Sequence, residues 1–147
     1  MADTRVQVEV EDWVRREWMP LKFGQRFRRE RVSLSSGGVF DFDAVSEDDT
    51  IVASISTSGA ATSGGRLGVG KLMKMRSDML FLLLATAERR VMVLTEEDMY
   101  QACLKERDNG RVPPNIEFLR ADIPPDLQER LAHSRSIASS EVQPRKD

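Results

Sequence analysis

Basic side chains gathered in two short stretches are the residues whose types and spacing best suit chemistry. Arg26, Arg28, Arg29 and Arg31, with Lys22, form the denser group, and Arg66, Lys71, Lys74 and Arg76 form the second. Cations spaced this closely can neutralise successive phosphates of a nucleic-acid backbone. Arginine outnumbers lysine in the first group, and a guanidinium grips a phosphate with two parallel hydrogen bonds. The plain alternative is a charged edge strand that resists edge-to-edge pairing, beside an ordinary solvated helix start. The segment Gly65-Arg66-Leu67-Gly68-Val69-Gly70-Lys71 matches the glycine and lysine positions of a phosphate-binding loop. Leu72 stands where such a loop needs Ser or Thr for Mg²⁺. Read as a glycine loop entering a helix, it still offers backbone N–H groups to an anion.

The elements that must position these residues follow from hydrophobic periodicity. Val10, Trp13, Val14 and Trp18 recur at helical spacing, which predicts a first helix ending at Pro20. Residues 25–34 read as an edge-like strand, and Ser35-Ser36-Gly37-Gly38 as a turn. In the next run, residues 39–45, Phe40 and Phe42 fall on one face and Asp41 and Asp43 on the other. A polar loop, residues 46–50, returns the chain as a third strand, residues 51–56, giving an antiparallel meander. Residues 57–70 hold five glycines and read as a mobile loop. A helix is expected over 71–86, with Leu72, Met75, Met79, Leu82 and Leu83 inward. Val91 to Leu94 reads as a strand buried between layers, with Thr95 capping a helix that ends near Asn109-Gly110. Ile116 to Leu119 is a last short strand, followed by a helix starting near Pro124 and Pro125. The expectation is one α/β domain over residues 1–133, its mixed sheet covered on both faces, and a flexible tail over 134–147.

That element order, with Gly37 to Ser58 at its centre, resembles the PD-(D/E)xK nuclease superfamily. The resemblance spans about residues 9 to 120 and implies a restriction-endonuclease-like core: a helix, a meander, a crossover helix and a further strand. In active relatives the second strand brings an acidic residue and the third brings Glu-x-Lys or Asp-x-Lys. The carboxylates hold Mg²⁺ against the scissile phosphate, and the lysine orients water and offsets charge. Carried onto this chain, the resemblance makes Asp43 the surviving acid and metal ligand, with Asp41 next. Ser54 and Ser56 stand at the Glu and Lys positions. Some relatives move a catalytic residue to the crossover helix, where Lys71 and Lys74 lie. Glu9, Glu11 and Glu17 on the first helix offer further carboxylates, and the plain reading of all five is solvated helix charge.

The rest of the sequence closes off several classes. One cysteine, Cys103, rules out a disulfide framework within the chain and a cysteine-built zinc site. The one histidine, His133, is far from it in sequence, so nothing local builds a Cys–His pair. A net charge of −2 means that nucleic-acid binding would have to come from local patches. The most apolar run, Met79 to Ala87, is far short of the roughly 20 residues a membrane helix needs. The N-terminus has no apolar signal region, and a reduced cytoplasmic protein is expected. Trp13 and Trp18 read as core or dimer-interface anchors, and Met73, Met75 and Met79 as core filler.

Three functions follow as expectations. The first is a catalytically degenerate nuclease-like domain that binds nucleic acid or a partner protein. In it, Arg26, Arg28, Arg29, Arg31, Arg66 and Lys71 would meet phosphates, with no cofactor. The second is a working Mg²⁺-dependent nuclease with a migrated site: Asp43, Asp41 and Lys71 or Lys74. The third is a homodimeric or scaffold protein without a nucleic-acid role.

Overall fold

The computed structural model describes residues 4–60 and 68–142. The chain begins as α1 (Arg5–Trp13), passes through a π-helical turn (Val14–Trp18) and continues as α2 (Met19–Phe23). Strands β1 (Phe27–Ser33), β2 (Val39–Ser46) and β3 (Ile51–Ser56) follow. Then come α3 (Val69–Leu84), β4 (Arg89–Leu94), α4 (Glu97–Asp108), β5 (Ile116–Arg120) and α5 (Pro125–Val142).

The five strands form one mixed sheet in the order β1-β2-β3-β4-β5. Short loops leave β1, β2 and β3 antiparallel. The helical crossovers α3 and α4 bring β4 and β5 in parallel to β3, as parallel neighbours require. Each face of the sheet is covered. Val10 and Val14, with Leu127 and Leu131 of α5, pack on the face that carries Ala44, Ala53 and Val93. Met75, Met79 and Leu82 of α3, with Met99 and Cys103 of α4, pack on the face that carries Phe42, Val52 and Met92. The β4 run Val91–Leu94 is buried throughout, as a strand between two layers must be. Arg90 closes the α3 end, donating to the carbonyls of Leu82 (2.8 Å) and Ala85 (2.6 Å), where a cation also opposes the helix dipole.

Two local expectations are corrected. The first helix does not end at Pro20. Proline has no N–H for the carbonyl of Arg16, which would normally break the helix. Instead the helix widens, with the Met19 N–H reaching back to the Val14 carbonyl, and it stops only at Gly24, whose φ of 74° suits glycine. Thr95 is not a cap: it is buried, and its hydroxyl bonds the Glu96 carboxylate at 2.8 Å. Over the described part of the expected tail, α5 continues through Ser134 to Val142, and residues 143–147 lie outside the described residues. The Ser134 hydroxyl accepts from Gln7 at 3.2 Å, and Arg135 meets buried Glu96 at 2.6 Å.

Candidate functional site

Two adjacent strands part at Asp43. The described register between β2 and β3 holds only Ala44 opposite Ala53 and Val45 opposite Val52. On its other side, β2 takes three steps from Val45 to Phe42 while β1 takes two from Arg28 to Glu30. One extra residue therefore bulges from β2 at Asp43–Ala44, the kind of defect that re-aims a side chain. The Asp43 carboxylate turns to β3 and its Oδ2 accepts the Ile55 N–H at 2.8 Å. Arg15, buried in the π-helical turn, donates to the Asp43 carbonyl and to Asp12 Oδ1, both at 2.9 Å.

Glu11 of α1 joins this cluster. Burial, then a hydrogen bond to Asp43 and the Asp43 charge, push its carboxyl up to about 7 against the pull of Arg15 and Arg29. Two carboxyl groups thus meet in a half-buried site, where Glu11 holds its proton more tightly than an ordinary carboxyl does. On the far side of the fork, Asp78 of α3 is raised by burial and, more weakly, by the Asp43 charge, against the opposing Lys74. Lys74 lies 2.5 Å from Asp78, one helical turn before it. Among the described residues no group of three or more Asp, Glu, His or Cys side chains is arranged to hold a metal ion.

A cavity of about 200 Å³ opens at the carboxyl end of β3. Its polar rim carries Ser56, Ser58, Lys71, Lys74 and Asp78. Its floor is Met75, Met92, Leu94 and Met99, each 3% exposed or less. Side-chain alternation explains the rim: Ser54 and Ser56 point to the α3 face of β3, and Ser54 is buried further in.

The structure brings Asp43, Lys71 and Lys74 to one end of β3 and leaves the other candidates apart. Asp41 faces outward and pairs with Arg31 at 3.1 Å. Arg28 contacts Glu30 and Asp49 and donates to the Ser46 carbonyl at 2.9 Å. Arg29 is 3.8 Å from Glu11, and Arg26 is exposed beside Glu47 and Asp48. Arg76 pairs with Glu106 at 3.2 Å. Carboxylates thus interleave the arginine strand, which gives it little net field. Arg66 lies outside the described residues. Arg15 and Asp78 escaped sequence reasoning. Only the four-residue spacing from Lys74 to Asp78, an i,i+4 helix pair, could have flagged the second.

No protein-family model, no curated protein and no solved structure matches the chain.

Proposed function

We propose that the chain is a nuclease-like domain with a restriction-endonuclease-like core that has lost cleavage and binds nucleic acid at the carboxyl end of β3. One observation carries this reading: Ser56, at the position the resemblance gives to a catalytic lysine, lines the same cavity as Lys71 and Lys74. The positive charge is supplied from α3 while the strand itself is neutral. The sheet order, the antiparallel meander and the fork at Asp43 support the core.

Binding is favoured over cutting because the acidic half of the motif is incomplete. The β3 acid is replaced by buried Ser54. Asp43 commits one oxygen to Ile55, and Asp78 is tied to Lys74. Mg²⁺ needs several hard oxygen ligands in near-octahedral array, and the fork gathers two carboxyls. The cavity lysines can still take a phosphate as point charges, without metal. The arginine strand would add further contacts, with Arg28, Arg29 and Arg31 exchanging carboxylate partners as Lys74 exchanges Asp78.

A second reading is a working Mg²⁺-dependent nuclease with a migrated site. It is favoured by the contact of Glu11 with Asp43, since a cation binding there would displace the proton of Glu11. Incubation of labelled single- and double-stranded DNA and RNA with Mg²⁺ or Mn²⁺ separates the two. The proposal expects no cleavage. Cleavage that vanishes in Asp43→Ala would establish the second reading instead.

A further inference from the structure

We infer that the cavity beside Ser56 takes the terminal phosphate of a nucleic-acid strand and not a phosphodiester within it, an inference that rests on the binding function proposed above.

Shape is the first reason. A diester inside a strand carries chain on both sides, so it suits a groove better than a pocket with a closed floor. This cavity is closed below by Met75, Met92, Leu94 and Met99, all part of the α3-side core. Its volume of about 200 Å³ accommodates a phosphate with part of a sugar, and among the described residues its buried floor gives no exit to a strand that enters from the rim.

Charge is the second reason. A phosphomonoester carries about −1.5 to −2 at neutral pH, and a diester carries one negative charge. Lys71 and Lys74 bring two ammonium groups to the rim, and Ser56 and Ser58 bring two hydroxyls that can donate to the extra oxygen. Asp78 holds Lys74 at 2.5 Å, so an arriving phosphate exchanges with that carboxylate. A dianion competes in this exchange better than a monoanion. The methionines below offer a polarizable apolar surface suited to the sugar of a terminal nucleotide.

The test is fluorescence anisotropy on the full chain with oligonucleotides of one sequence. They carry a 5′-phosphate, a 3′-phosphate or hydroxyls at both ends, and a fourth is closed into a circle. A terminal phosphate at one end is expected to tighten binding about tenfold, the effect of one charge-assisted hydrogen bond. The circle should bind no better than the all-hydroxyl strand. Lys74→Ala, at a largely exposed side chain, should erase the preference, and Asp78→Asn should enlarge it. Equal, salt-sensitive binding of all four probes would overturn the inference and leave nucleic-acid binding standing. No binding of any probe would overturn the binding function itself, and the inference with it.

Discussion

The Asp43 carboxylate accepts the backbone N–H of Ile55 at 2.8 Å, where a regular ladder would offer a backbone carbonyl. A side chain thus stands in for the strand at the point where β2 and β3 diverge. Asp43→Ala leaves the Ile55 N–H without this partner and is expected to destabilise the fold by about 1–3 kcal/mol. Asp43→Asn keeps a carbonyl oxygen there and should cost less. Urea unfolding of the two variants compares them. Equal losses would mean that the bond to Ile55 contributes nothing.

Glu11 makes stability depend on pH in the direction opposite to that of a salt-bridged acid. Its folded pKa of about 7 lies above the ordinary glutamate value of 4.5. The protonated form is therefore favoured by folding. That contribution is full below pH 4.5 and is lost as the pH rises through about 7. Glu11→Gln mimics the protonated state and should stabilise the protein at pH 8 by about 1–3 kcal/mol, with the gain shrinking toward pH 5. Denaturant melts at both values decide it, and a pH-independent difference would contradict the assignment.

The hairpin between β2 and β3 should be acid-sensitive in the ordinary sense. Asp48 Oδ1 accepts from the Thr50 hydroxyl, the Thr50 N–H and the Ser46 hydroxyl at 2.7, 3.1 and 2.8 Å. These bonds hold its carboxyl down at about 2. Their support is present above pH 3.8 and lost as the pH falls through about 2. Asp48→Ala should raise amide hydrogen exchange at Thr50 and Ile51. Unchanged exchange at both amides would show that the loop does not need this carboxylate.

Much of the sheet was legible in the sequence, and the reasons differ by element. The unbroken apolar run of β4 and the shared face of Phe40 and Phe42, whose rings stand 5.0 Å apart, are local patterns that survive folding. The helix through Pro20 was not legible, because the π turn that absorbs the proline is set by packing of Val14 and Met19 into the core. The bulge at Asp43 was hidden for another reason: an extra residue exists only relative to the register of β1. The fate of the arginine strand also depended on partners. Once the turn at residues 35–38 fixes the register, Arg31 falls opposite Asp41, so a cluster that looks basic along the chain is balanced across the strands. In the sequence Glu11 is one carboxylate among several on its helix, and only its contact with Asp43 in the fold singles it out.

Nucleic-acid binding at the β3 end is tested most directly by anisotropy of a labelled single strand across a salt series, with wild type beside the double variant Lys71→Ala/Lys74→Ala. Two lysines on phosphate predict a log–log salt slope of about −1.4 for the wild type. The double variant should bind at least about tenfold more weakly with a flatter slope, while Arg28→Ala and Arg31→Ala change little. Wild-type binding that is absent, or that persists unchanged in the double variant, would contradict the account.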